Sequence, residues 1–241
     1  MSTLYLVRLL PNTQLLMRWA GKHRLLRSGD AGYAWHAALK AALGDLAPKP
    51  FALVTRNRQT ELLGYTQSDP RQWLSLAQDF DAVQAIGLDQ GVQQREMPMD
   101  WQSSQTLSFE ARVRPVARTR SGRSAIDERD VAMLARERDP NASIELAYRD
   151  WLQKELARGG AAQLLQMRLV SACSTRVLRK GAVQAEGGRS NTSINGPDVL
   201  LRGELRIEDG PAFSVLLARG LGRHRAFGFG CLLLAPAGVL R

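Results

Sequence analysis

Residues 4–10 (LYLVRLL) are apolar around a single charge, Arg8, and predict a buried strand. Asn12 and Thr13 open a helical stretch that reaches Trp19, and a basic loop follows over residues 21–30 (GKHRLLRSGD). Asp30 is placed to cap an alanine-rich helix over Ala31–Leu43, which Gly44 closes. Apolar runs at residues 51–55 and 61–67 predict two short strands. Asp69 as cap and Pro70 at the first helical position predict a helix over residues 71–80. Residues 91–105 (GVQQREMPMDWQSSQ) show no periodicity and read as the join to a second unit.

That unit opens at residues 106–116 (TLSFEARVRPV). Leu107, Phe109, Ala111 and Val113 alternate there with Ser108, Glu110, Arg112 and Arg114, the pattern of a half-buried strand with a basic face. Ile144–Leu156 is an amphipathic helix stopped by Gly159 and Gly160. Strands are expected at residues 164–170 and 175–179, a polar loop or hairpin tip at 185–197, and a strand at 199–207. A short helix at 211–219 and an apolar strand at 229–235 close the chain. Both halves fit the order strand–helix–strand–strand–helix–strand. The expected fold class is therefore α+β, as tandem ferredoxin-like (RRM-like) domains at residues 1–100 and 106–241. No sequence repeat links the halves, so element order alone carries the inferred duplication.

Of the 241 residues, 44% are hydrophobic and 23% charged, a balance that excludes wholesale disorder. There is no apolar run of about 18 residues and no signal peptide with a cleavage site, so a soluble cytoplasmic protein with no membrane partner is expected. Cys173 and Cys231 are the two cysteines, without a CxxC pair, which argues against a disulfide framework and a cysteine zinc site. The charge changes the picture more. The chain holds 33 Lys+Arg against 23 Asp+Glu, net +10, and 28 of the 33 are Arg. The planar guanidinium matches phosphate and stacks on bases, which favours a nucleic-acid partner. Residues 1–110 carry 11 basic and 10 acidic residues; residues 111–241 carry 22 and 13. A polyanion would meet mainly the second half.

The densest motif is GLGRHRAFGFG at residues 220–230. Gly220, Gly222, Gly228 and Gly230 surround Arg223, His224 and Arg225. A nucleotide-binding loop of Walker or Rossmann type runs strand, loop, helix. Here a helix precedes and a strand follows, and the Walker Lys-Ser/Thr ending is absent, so an ATPase or dehydrogenase is excluded. A basic, glycine-rich loop lying against a polyanion backbone remains, beside a plain helix-to-strand turn capped by Gly220.

Residues 204–213 (ELRIEDGPAF), 217–222 (LARGLG) and 226–236 (AFGFGCLLLAP) closely resemble the C-terminus of the CasE family, the repeat-specific endoribonucleases of type I-E CRISPR systems. The likeness extends to residues 112–116 and 151–154 and touches most of 107–236; the related processing subunits of type IV systems remain open. The resemblance implies tandem ferredoxin-like domains, recognition of a CRISPR RNA repeat stem-loop, metal-independent cleavage, and partnership with other effector-complex subunits. It implies no cofactor.

Tyr33, His36 and Lys40 stand at i, i+3 and i+7 of the helix Ala31–Leu43 and share one face. Phenol, imidazole and ammonium together suit RNA cleavage in which the ribose 2′-OH attacks the neighbouring phosphate. CasE-like enzymes carry Tyr-x-x-His on their first helix, and Tyr33 and His36 match it. Lys22, Arg24 and Arg27 in the preceding loop are expected to meet RNA, and arginines there remain an alternative to His36 as the catalytic groups. In the second half Arg112, Arg114, Arg118, Arg120 and Arg123 form a row expected to grip stem phosphates. Phe227 and Phe229 are candidates for base stacking or for core packing. No His-x-x-x-His and no paired Asp cluster suggests a metal site. A non-catalytic RNA-binding subunit of a CRISPR ribonucleoprotein is the competing class.

Overall fold

Strand β1 (Tyr5–Leu9) buries Tyr5, Val7 and Leu9 and turns Leu6 and Arg8 to its other face, the period of two read from its sequence. The computed structural model describes residues 3–26, 31–121, 125–183 and 189–239. After β1 come α1 (Thr13–Lys22), α2 (Ala31–Leu43), β2 (Phe51–Arg56), β3 (Gln59–Thr66), the one-turn α3 (Trp73–Leu76), α4 (Phe80–Ile86) and β4 (Gln93–Glu96). The four strands form an antiparallel sheet in the order β2-β3-β1-β4. The helices cover one face of it, closing a core around Val7, Leu9, Leu39, Leu62 and Ile86.

Capping side chains set the helix starts. Asn12 Oδ1 accepts from Gln14 N and Leu15 N, at 3.1 and 3.0 Å, and opens α1. The helix expected over residues 71–80 is displaced. Asp69 caps only a 3₁₀ turn over Pro70–Gln72, Ala77 is extended, and Asp79 opens α4 by accepting from Ala82 N at 2.9 Å. A second capping side chain within ten residues restarts the helix. The unpatterned join also contains a strand: β4 pairs with β1 along an edge where all four of its residues are exposed, so no apolar alternation marks it.

The second half runs β5 (Thr106–Val113), β6 (Val116–Ser121), β7 (Ala125–Asp130), α5 (Val131–Arg138), α6 (Ile144–Leu156), β8 (Ala162–Val183), β9 (Arg189–Ile207), α7 (Gly210–Arg219) and β10 (Leu232–Pro236). Its main sheet is ordered β10-β5-β9-β8, while β6 and β7 pair as a separate hairpin. In both sheets the first strand lies between the last and the third, with the second strand outside. That shared order is the ferredoxin-like arrangement expected twice over. No helix among the described residues is long and apolar enough to cross a membrane.

Two expectations for this half need correction. The strands at 164–170 and 175–179 are one continuous β8, and most of the polar stretch 185–197 belongs to β9. The β8–β9 register runs to Val183↔Arg189, whereas β5 accompanies β9 only as far as Val199. Beyond that point a two-stranded ribbon projects ~35 Å, at about 3.3 Å per residue. Residues 171–174 at its root are exposed on both faces. A segment exposed on both faces has no reason to alternate.

The two sheets share packing. Leu4, Ala52 and Tyr65 belong to the apolar cluster of the second half. Tyr65 is 1% exposed, and its hydroxyl donates to Leu232 O at 2.8 Å. This junction fixes where the loop after α7 meets α2.

Candidate functional site

On α2, Tyr33 is buried, His36 half-buried and Lys40 exposed, a gradient across the face that their spacing predicts. The Tyr33 and His36 rings lie 6.4 Å apart at 63°. The glycine-rich loop reaches this face from the second half. Gly220 N–H closes α7 on Leu216 O at 2.7 Å, and the loop is then pinned at its neck. There Leu221 N–H donates to Gly230 O at 2.8 Å, and Gly230 N–H to Arg112 O at 2.7 Å. A side chain at Gly230 (φ 77°) would place its Cβ 2.2 Å from Leu221 O, and one at Gly222 would meet the Trp151 ring at 2.7 Å. Close internal approach thus accounts for these two glycines, without an RNA backbone.

Between the pinned ends, a 3₁₀ turn over Arg225–Phe227 is flanked by His224 (φ 60°) and Gly228 (φ 87°), both left-handed. The turn carries Phe227 onto α2. Its ring lies 6.3 Å from Tyr33, nearly parallel at 22°, 4.9 Å from His36 and 6.1 Å from His224. Phe227 therefore packs against the proposed catalytic pair rather than standing free for a base.

His36 titrates below its ordinary value of 6.5, because burial disfavours the imidazolium and because Lys40 and Lys49 add positive charge. Lys40 Nζ itself bonds Asp45 Oδ1 at 2.7 Å, an exposed pair that holds Asp45 below the usual carboxylate range. Across Phe227, His224 is also lowered, by burial first, against an opposing hydrogen bond with Glu128. Glu128 Oε2 lies 2.6 Å from His224 Nε2, and Glu128 Oε1 lies 2.6 Å from Arg223 Nε. Burial would raise that carboxyl, but the His224 bond and the two cations outweigh it and hold it below the ordinary carboxylate value. Sequence reasoning missed Glu128, which sits in the unrecognised strand β7 within a run that reads as solvated charge (Asp127, Glu128, Arg129, Asp130).

A cavity of ~630 Å³ adjoins this cluster, lined by Arg118, Arg158, Arg223, Arg225, Trp151 and Lys49 among others. A smaller one of ~210 Å³ opens on His36, Lys40 and Lys49. Lys49 and Ala226 line both, so the basic cleft is continuous with the histidine face.

The expected basic row on β5 is not an open face. Arg112 forms a two-pronged pair with Asp198, Nε to Oδ1 at 2.7 Å, and its guanidinium stands 4.7 Å over the Phe229 ring. Arg114 is 1% exposed, lies 5.4 Å from the same ring and donates to Thr175 O at 3.1 Å, holding the root of the ribbon. The β8–β9 ribbon covers that face, which an isolated strand pattern does not reveal. Arg118 is exposed on the cleft; the Arg120 side chain, Arg123 and Arg27 lie outside the described residues, as does the Asp30 cap. Lys22 pairs with Asp81 of α4 at 2.8 Å, and Arg24 is exposed beyond the end of α1 with φ 56°. Among the described residues no three His, Cys, Asp or Glu side chains gather in a metal-binding cluster.

The family model for "CRISPR associated protein" matches residues 4–236. The chain belongs to the CRISPR associated protein family. Members and relatives with solved structures share its fold across almost their whole length. A CRISPR endoribonuclease Cse3 bound to a 19-nucleotide RNA is 18% identical, with a TM-score of 0.63 over 97% of this chain and 100% of that one. The CRISPR-associated protein Cas6e from Escherichia coli str. K-12 is 18% identical, with a TM-score of 0.54 over 96% and 99%. A chain of a CRISPR RNA-guided surveillance complex is 17% identical, with a TM-score of 0.53 over 96% and 99%. No curated protein sequence matches. The CasE-like character read from the C-terminal motifs therefore holds for this CRISPR associated protein at the level of family and fold.

Proposed function

We propose that the chain is a CRISPR repeat-specific endoribonuclease, cutting precursor CRISPR RNA at the 3′ base of the repeat hairpin without a metal ion. The convergence of Tyr33, His36 and the loop residue Phe227 beside a cleft lined by five Lys and Arg side chains carries this reading. The RNA-bound Cse3 fold supports it.

In the reaction the 2′-oxygen attacks the adjacent phosphorus and the P–O5′ bond breaks, leaving a 2′,3′-cyclic phosphate and a 5′-oxygen that takes a proton from water to become 5′-OH. His36, lowered below 6.5, is mostly neutral near pH 7 and so suited to take the 2′-OH proton as general base. Tyr33 orients the ribose. Lys40, with Lys49 on the same small cavity, offsets charge growing on the phosphorane oxygens. Arg118, Arg223 and Arg225 hold backbone phosphates, and the cut repeat stays bound within a cytoplasmic effector complex.

The test is cleavage of labelled repeat RNA in EDTA by wild type and His36→Ala, and of the same RNA with a 2′-deoxy residue at the cut site. Wild type is expected to cut, the deoxy substrate to resist, and the variant to lose roughly 10²- to 10⁴-fold in rate. RNA bound but uncut by wild type would leave the non-catalytic subunit as the answer. Full activity in His36→Ala would move proton transfer to the arginines.

A further inference from the structure

We infer that Glu128 on β7 is a positioning residue: it clasps the glycine-rich loop through His224 and Arg223 and thereby seats Phe227 against His36 and Tyr33. The inference rests on the ribonuclease reading of that site. Both carboxylate oxygens are engaged at 2.6 Å, one by each of two successive loop residues, and the Glu128 and His224 side chains are each 8% exposed. The His224 contact is a charge-assisted hydrogen bond shielded from water, and Arg223, 35% exposed, adds an ion pair to the other oxygen.

The clasp acts at the residue that opens the turn. His224 is not a glycine, yet it sits at φ 60° as the residue that opens the Arg225–Phe227 turn, and Phe227 N–H donates back to His224 O at 2.9 Å. The neck hydrogen bonds at Leu221 and Gly230 hold the far ends. Gly222 N–H is held by Glu155 Oε2 at 3.0 Å, before the turn begins. Any rotation at His224 therefore moves Phe227, and with it the lid over the His36 ring 4.9 Å away. Lys40 and Lys49 are the charged groups that lower His36, and Lys49 also lines the cleft beside Arg223 and His224. Glu128 acts on His36 through ring placement. It also ties the β6–β7 hairpin to the cleavage centre, two elements that share no strand pairing.

Glu128→Gln keeps the shape and removes the charge; Glu128→Ala removes both oxygens. The chain has three histidines, so each imidazole resonance is assignable by substitution. In wild type the His36 ring protons are expected to carry a ring-current shift from Phe227, whose ring centroid lies 4.9 Å away. In both variants they are expected to move toward free imidazole and to titrate nearer 6.5. Single-turnover cleavage is expected to fall about 10- to 100-fold, while binding of uncleavable 2′-deoxy repeat RNA changes by less than about twofold. If the His224 resonance moves, showing the clasp gone, while His36 and the cleavage rate keep their wild-type values, the inference is wrong. It is equally wrong if cleavage, RNA binding and melting temperature fall in parallel, as general loosening would produce. Failure of wild type to cut RNA would count against the proposed function alone, because the His36 resonance decides the clasp without turnover.

Discussion

Replacing Phe227 with Ala tests the site at the contact where the two sheets' contributions meet. The ring packs on Tyr33 at 6.3 Å and on His36 at 4.9 Å. Truncating a fully buried Phe costs roughly 3–5 kcal/mol. Phe227 is half-buried, so a stability loss of about 2 kcal/mol is expected, including ring–ring contacts worth about 0.5–1.5 kcal/mol each. The catalytic consequence is separate. Burial is the first cause of the lowered His36 pKa, ahead of Lys40 and Lys49, and the Phe227 ring is part of what buries it. Without that ring water reaches the imidazole, and its pKa returns toward 6.5.

For a general base the logarithm of the rate climbs with pH until the base is neutral and then levels. The midpoint of the wild-type rise should accordingly lie below pH 6.5, and that of Phe227→Ala at a higher pH than the wild type's. The variant then loses more activity under acid conditions than under alkaline ones. Single-turnover cleavage of repeat RNA in EDTA, from about pH 5 to about pH 8.5, measures both limbs. A rising limb that stays put, or moves to lower pH, refutes the claim that Phe227 desolvates a catalytic His36.

Folding stability should itself fall with acid. His36 and His224 are both depressed in the folded state, so the unfolded chain binds more protons, and stability present above pH 6.5 is lost as pH drops through the folded values. Thermal melts across that range test it, with a His36→Gln/His224→Gln variant expected to flatten the slope. Arg112→Ala strands the Asp198 carboxylate, 8% exposed, and should cost about 2 kcal/mol, less than a fully buried pair because Arg112 is 36% exposed. Arg118→Ala should barely alter melting but weaken RNA binding and reduce its logarithmic salt slope by about 1; the opposite ranking in melts and filter binding would reverse these assignments. Tyr65→Phe leaves the buried Leu232 carbonyl without its hydroxyl donor and should lower stability by about 1–2 kcal/mol, measured by denaturant titration.

The elements legible in the sequence are those whose burial is one-sided and whose starts carry a cap. These include β1 with its alternation and α1 behind Asn12; a cap alone does not suffice, because α4 behind Asp79 is expected elsewhere and α5 behind Asp130 is not expected. Among the elements that are not legible, β4 is exposed at all four residues and residues 171–174 of β8 are exposed too, so no hydrophobic period marks them. The site divides the same way. Tyr33 and His36 are three residues apart on one helix, and local spacing reports their shared face. Phe227 and Glu128 reach the same place from elements about 190 and 90 residues further along the chain, through pairings that depend on the whole second sheet. Spacing carries no information about such contacts.

The charge distribution reads differently once the partners of each arginine are placed. The second half holds 22 of the 33 basic residues, and its most regular cationic pair, Arg112 on β5 and Arg114 just past its end, first reads as a phosphate grip. Yet Arg112 is matched by Asp198, both guanidinium groups lie against Phe229, and Arg114 braces the ribbon at Thr175. Those two arginines hold the scaffold. The cations that remain on the cleft, Arg118, Arg158, Arg223 and Arg225, come from a hairpin, the end of α6 and the glycine-rich loop, with Lys49 added from the near-neutral first half. An RNA phosphate placed among them would sit beside the face that carries His36. The groups around this cleft therefore come from both halves, α2 and Lys49 from the first and the hairpin, Arg158 and the glycine-rich loop from the second.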